Sequence, residues 1–213
     1  MPGPNDSLVV FLHGVGALGA DLAPLAEPLS AFLPSTVFAV PDAPARFDGG
    51  GPGRQWFSVT GVSRDNRPQR VEQAREAFDR VVSAALAERG FAGRLDRVAL
   101  FGFSQGAIMA LDAVASGRWP VAAVVASSGR LPGAADPLAA AAAAPVLLLH
   151  GEADATVPAE ESRSAATRLK AAGFTVETRF FARLGHSISS EGVEAAGTFL
   201  ARAFDAGVNE RKQ

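Results

Sequence analysis

Short runs of β-branched and other apolar residues return at intervals along this chain, each separated from the next by a longer amphipathic segment. That alternation limits the fold more than any other feature, because strands joined through helical crossovers run parallel and bury their faces under those helices. The spacing predicts strands over 8–12, 36–40, 97–101, 121–126, 146–150 and 175–181. Near-continuous apolar character in the middle four marks them as strands covered on both faces. Candidate helices run over 21–32, 68–88, 105–115, 159–171 and 191–204. Asp21 suits an N-cap, Pro68 and Pro158 suit first helical turns, and Gly90, Gly117 and Gly173 fall where C′ glycines belong.

A chain of 213 residues is expected to form one α/β domain over 1–213, with 1–6 and 208–213 as flexible tails. With 48% hydrophobic and 20% charged residues it has ample apolar surface to bury. A net charge of −2 and the lack of any Lys/Arg run argue against a nucleic-acid partner. The absence of cysteine excludes disulfides, thiolate catalysis and Cys-ligated zinc together. No stretch nears the roughly 20 apolar residues of a membrane span, and the opening MPGPNDS lacks the charge of a signal peptide, so a cytoplasmic location is expected. Two segments stand outside this pattern. Residues 41–67 form a long connection carrying Gly49, Gly50, Gly51 and Gly53, and residues 134–144 are an alanine-rich stretch read as a surface turn or short helix.

Gly102-Phe103-Ser104-Gln105-Gly106 spells G-x-S-x-G directly after the strand RVALF and directly before the helix QGAIMALDAVA. In that context the serine sits on a tight strand-to-helix turn that lifts its hydroxyl clear at the carboxyl end of the sheet, facing the positive end of its own helix. A serine nucleophile needs a base, and the base needs an acid to fix its tautomer. Of the three histidines, only His150 and His186 follow Ser104, as chain order Ser, acid, His requires. His150 ends a strand and is expected to pack there. His186, in the turn before the last helix, is assigned as base. Between Glu152 and Asp154, the deeper position of Asp154 in the turn GEADATVP makes it the acid, with Asp136 as a more distant rival. The oxyanion donors expected are the backbone N–H groups of Gln105 and of Val15, in the loop after the first strand, where His13 fixes the loop.

The same loop also reads Gly14-x-Gly16-x-x-Gly19 with Asp42 after the next strand, a superficial dinucleotide fingerprint. Pro24 and Pro28 speak against it, since a helix must begin within the glycines of such a motif. A non-catalytic binding protein of the same fold is the other alternative.

The blocks LHGVGALGAD, PDAPARF with GRQWFSV, FGFSQGA, LLLHGEADATVP and LGHSIS follow one another over nearly the whole chain. In that order they resemble the carboxylesterase/phospholipase family that includes the acyl-protein thioesterases. The resemblance implies a serine esterase with Ser104, Asp154 and His186 as triad and Val15 and Gln105 as oxyanion donors. The fold expected is an α/β-hydrolase fold, a mainly parallel central sheet with helices on both faces, and once the core elements are counted nothing is left to form a separate cap domain. A triad of this kind requires no metal or organic cofactor, and the expected substrate is a small ester or thioester. Ser58 stands where many relatives carry aspartate, and the Gly49–Gly53 stretch is a local elaboration. Trp56, Phe57 and Leu18 are candidates for an apolar acyl-binding wall, although Trp56 and Phe57 serve equally well as anchors of the long loop. A shallow, open site would favour short- to medium-chain acyl groups, with thioesters and lysophospholipids as further substrates.

Overall fold

The computed structural model describes residues 2–3, 6–133, 138 and 144–210. In chain order the strands are β1 (Ser7–Leu12), β2 (Thr36–Ala39), β3 (Ala45–Arg46), β4 (Arg54–Gln55), β5 (Val98–Phe103), β6 (Ala123–Ser127), β7 (Val146–Gly151) and β8 (Val176–Phe181). The helices are α1 (Ala26–Ser30), α2 (Arg67–Glu88), α3 (Gln105–Ala115), α4 (Glu160–Ala171) and α5 (Ser190–Glu210). Six strands make one sheet in the order β2-β1-β5-β6-β7-β8, every neighbouring pair parallel, while β3 and β4 pair antiparallel on their own. The fold is the α/β-hydrolase type, with helices on both faces of a parallel sheet.

Successive strand side chains point to opposite faces, and two apolar layers result. Leu8, Val10, Leu100, Val124 and Leu148 face α2, α3 and α4, packing with Phe78, Val82, Met109 and Leu169. Val9, Phe11, Phe101, Val125 and Leu147 face the other way, onto Leu22, Leu29, Phe199 and Leu200. Strand order reverses between β1 and β5: the chain lays β2 on one side of β1, then crosses to β5 on the other. The carboxyl ends of β1 and β5 therefore lie side by side, with Leu12 opposite Gly102. In open parallel sheets that switch point is where ligands bind.

Two expectations need correction. The first strand, not the second, is wholly buried: every residue of β1 is covered, whereas in β2 only Ala39 is. Apolar content alone made β2 look central, but the crossover leaves it on the sheet edge. The segment predicted as a helix over 21–32 splits into a 3-10 turn, Gly19–Leu25, and a five-residue α1. Pro24, inside the 3-10 turn, has no N–H to continue an α-helical ladder. Asp21 is not the N-cap. It sits at the third position of the turn and its carboxylate accepts the Leu18 N–H at 2.9 Å.

Other boundaries move less. The glycines at 90, 117 and 173 adopt φ of 77°, 74° and 91°, as helix-ending glycines do. Pro68 lies in the first turn of α2, and Pro158 falls just before α4, its carbonyl accepting the Glu161 N–H. α5 continues to Glu210, past the expected end at Phe204. Most of the alanine-rich stretch, including Asp136, lies outside the described residues, as do positions 211–213.

α3 is buried along its whole length, which is why its sequence is apolar on every side. Its one acid, Asp112, is answered by a two-pronged bond from Arg75 (Nε at 3.0 Å, a terminal nitrogen at 2.8 Å) and by Arg118 at 2.9 Å. A buried carboxylate tolerates that position only when paired. Nearby, the Phe78 ring meets Trp56 and Trp119 edge-on, with centroids 5.4 Å and 6.4 Å away. Because Phe78 is fully buried between two aromatic partners, Phe78→Ala is expected to lower unfolding free energy by about 3–5 kcal/mol in urea denaturation. A loss below about 1 kcal/mol would mean that the cluster does not tie α2 to the sheet.

Candidate active site

The β5–α3 turn is forced by contact between main chains. A Cβ on Gly106 would sit 2.0 Å from the Leu12 carbonyl oxygen, and one on Gly102 would sit 2.5 Å from the backbone of Ala107. With both positions bare, the turn closes tightly enough to hold Ser104 at φ 52°, in the left-handed region. Its N–H donates to the Ser127 carbonyl at 2.9 Å, fixing the turn to β6.

His186 and Asp154 reach the same place from two later strand ends. The Ser104 hydroxyl and His186 Nε2 are 2.9 Å apart, and His186 Nδ1 lies 2.7 Å from Asp154 Oδ2. An ionised carboxylate only accepts, so Nδ1 carries the proton and Nε2 is left to accept from the serine hydroxyl. The acid loop is joined directly to the histidine loop: the Ala153 N–H donates to the Leu184 carbonyl at 3.0 Å and the Glu152 N–H to the Phe181 carbonyl at 2.9 Å. Glu152, the competing acid, points outward and pairs with Arg163.

Asp154 has no exposed side-chain surface. Burial opposes its ionisation, but the His186 hydrogen bond and the N–H groups of Val157 (2.8 Å) and Thr156 (2.9 Å) on Oδ1 outweigh it and hold the carboxyl below its ordinary range.

The loop after β1 comes close to the serine turn, where a Cβ on Gly14 would lie 3.3 Å from the Ser104 Cβ. Among the described residues no backbone carbonyl accepts the N–H of Val15, the next residue, or of Gln105. His13 is buried under this loop: the Ala43 N–H donates to its Nε2 at 2.9 Å, so Nδ1 bears the proton and donates to the Gly14 carbonyl at 2.7 Å. The glycine-rich connection supports the same loop from outside. Arg54 in β4 accepts from the Gly16 N–H (2.8 Å) and donates to the Ala17 carbonyl (2.9 Å), and a Cβ on Gly53 would lie 2.0 Å from the Gly16 carbonyl oxygen. Gly53 thus lets the β3–β4 hairpin close onto the loop. Ser58 donates its hydroxyl to Asp48 of the same hairpin.

Trp56 and Phe57 are buried. The Trp56 indole N–H donates to the His13 carbonyl at 2.9 Å, and its ring packs on Phe78, so it anchors the long loop to the core. The Gln105 side chain completes that anchor, accepting from the Trp56 N–H and donating to the Phe57 carbonyl, both at 2.8 Å. Leu18 lies half-buried at the start of the 3-10 turn. Sequence reasoning did not find Phe103, whose ring centroid is 5.0 Å from that of His186, or Phe47, which packs over Gly16. Phe103 was the unspecified residue of G-x-S-x-G, and Phe47 reaches the site only through the hairpin's fold.

The glycine pattern after β1 serves packing in place of a dinucleotide. A Cβ on Gly19 would lie 2.0 Å from the Val40 carbonyl oxygen, and Asp42, the candidate ribose ligand, accepts the Gly19 N–H at 2.7 Å. Among the described residues no group of three or more His, Cys, Asp or Glu side chains could hold a metal ion.

Burial lowers the affinity of His13 and His150 for protons below the ordinary value of 6.5. Below that pH the unfolded chain takes up protons that the folded protein refuses, so stability is full above it and falls as pH drops. Asp154 adds a further loss only below 3.8, as pH falls through its lowered folded value. The urea midpoint is therefore expected to decline between pH 8 and pH 5, and a midpoint that rises on acidification would contradict the burial of these two imidazoles as neutral rings.

A profile of the phospholipase/carboxylesterase family matches residues 2–204. The esterase YpfH of Escherichia coli (strain K12) is 31% identical over 193 residues, covering 91% of this chain and 81% of that protein. Acyl-protein thioesterase 1 homolog 1 of Dictyostelium discoideum is 25% identical over 207 residues, covering 93% and 91%. The crystal structure of esterase PE8 superposes with a TM-score of 0.80 at 31% identity, covering 95% of this chain and 94% of that one. The parallel sheet, the strained serine turn and the family match agree, and the chain belongs to the phospholipase/carboxylesterase family.

Proposed function

We propose that this protein is a serine esterase that hydrolyses carboxylic esters of short- to medium-chain acids through an acyl-enzyme on Ser104. The observation that carries the proposal is the continuous row from Ser104 Oγ through His186 to Asp154, with bonds of 2.9 Å and 2.7 Å. As the hydroxyl attacks the ester carbonyl, His186 Nε2 takes its proton, and the imidazolium that forms is stabilised by Asp154 on the other ring nitrogen. The carbonyl oxygen becomes an oxyanion, met by the N–H groups of Val15 and Gln105, each worth about 2.7–4 kcal/mol to such a transition state. His186 then returns the proton to the leaving alcohol. Water attacks the acyl-enzyme by the same route in reverse, releasing the acid and restoring the serine.

Phe103 packs against His186 of the row, while Phe47 against Gly16 and half-buried Leu18 add apolar surface along the loop after β1. That favours an uncharged acyl chain. Trp56 and Phe57 act on this reading by fixing the loop. Thioesters are a natural extension, since their carbonyl is attacked in the same way and one relative is named an acyl-protein thioesterase. A parallel series of esters and thioesters of increasing chain length would rank these substrates.

Wild-type protein is expected to turn over p-nitrophenyl acetate and butyrate, and Ser104→Ala to lower kcat by at least about 1000-fold without loss of fold. Equal rates in the two proteins would refute the assignment and favour a binding protein built on a hydrolase fold.

A further inference from the structure

We infer that His150 is a positioning residue for this row: its buried Nε2–H donates to the Val157 carbonyl and fixes the turn whose N–H groups keep the Asp154 carboxylate aimed at His186. The inference rests on the esterase reading for its consequence, and on geometry for its existence. His150 is the last residue but one of β7, four residues before Asp154, and neither side chain has exposed surface. Its Nε2 lies 2.8 Å from the Val157 carbonyl oxygen and 3.3 Å from Asp154 Oδ2, while its Nδ1 lies 2.7 Å from the Ser162 hydroxyl.

A carbonyl cannot donate, so the Nε2 facing Val157 must carry the proton. Nδ1 is then a bare acceptor, and the Ser162 hydroxyl donates to it. The Nε2–H donates to the Val157 carbonyl, with Asp154 Oδ2 3.3 Å from the same nitrogen. Val157 also donates its own N–H to Oδ1 of the Asp154 carboxylate, so one residue links the His150 imidazole to the acid.

Every side of the carboxylate is thereby held. Oδ1 takes the N–H groups of Thr156 and Val157, and Oδ2 takes His186 Nδ1, with His150 Nε2 3.3 Å away. Rotation about the bond that carries the carboxylate would break bonds at both oxygens, which keeps Oδ2 aimed at His186 while the imidazolium forms. Burial keeps His150 uncharged, so it supplies a donor without a positive charge to compete with the imidazolium. Ser162, on α4, fixes the other ring nitrogen, its one hydroxyl proton going to Nδ1 at 2.7 Å and not to the more distant Gly129 carbonyl at 3.3 Å.

The amide nitrogen of glutamine can occupy the place of Nε2, whereas that of the shorter asparagine falls near Nδ1. His150→Gln is expected to keep kcat for p-nitrophenyl butyrate within about threefold of wild type, while His150→Asn lowers it about ten- to hundredfold, with KM within about twofold in both. Equal losses in the two variants, or none in His150→Asn, would overturn the inference. Nitrogen-15 NMR of the histidines in the wild-type protein requires neither a variant nor turnover. A neutral His150 protonated at Nε2 is expected, and protonation at Nδ1 would overturn the proposal, whatever the esterase assay finds.

Discussion

At the end of β5 two stretches of main chain meet so closely that no side chain fits between them. The Leu12 carbonyl of β1 occupies the space where a Cβ at position 106 would project, and the first turn of α3 does the same at position 102. The rest of the site follows from this contact. It drives Ser104 into the left-handed region, points its hydroxyl off the carboxyl edge, and brings α3 in beneath it with its first N–H groups facing outward. A helix so placed is enclosed on every side, which accounts for the uninterrupted apolar surface of α3 and for the two arginines drawn to Asp112.

Around that contact, three loops are braced against one another by backbone hydrogen bonds. The acid loop and the histidine loop are bonded through Ala153 and Leu184, and the turn at Ser104 is bonded to β6 through Ser127. The loop after β1 is braced twice, from inside by His13 and from outside by Arg54 of the β3–β4 hairpin. On the proposed esterase reading, the groups that meet developing charge are thus fixed by bonds already present before substrate arrives, the arrangement that makes electrostatic stabilisation effective. The long glycine-bearing connection, with no strand of the main sheet, is the outer brace of the loop after β1.

Much of this was legible in the sequence because it is local. The strand-turn-helix at 98–115, the acid turn after β7 and the histidine turn after β8 each announce themselves within ten or so residues, and the structure brings Ser104, Asp154 and His186 into one row. What was missed depends on contacts between distant segments. Whether β1 or β2 lies at the sheet edge is decided by a crossover, so apolar content misplaced the edge. Pro24 argued against a dinucleotide helix, and the same missing N–H also broke the helix expected over 21–32. The side chain of Gln105 read as part of a motif, yet it clamps Trp56 and Phe57, residues some 49 positions earlier. His150 looked like a packed strand end and is one, but only its position relative to Val157 and Asp154 reveals a link to the carboxylate.

The account turns on Ser104 being the nucleophile that His186 activates. The most direct measurement is mass spectrometry of the protein after exposure to an alkyl fluorophosphonate, which captures an activated serine covalently. A single adduct on the peptide carrying Ser104, formed slowly or not at all in His186→Ala, is the result predicted. An intact, unlabelled Ser104 peptide in folded wild-type protein, or labelling that is indifferent to loss of His186, would contradict it.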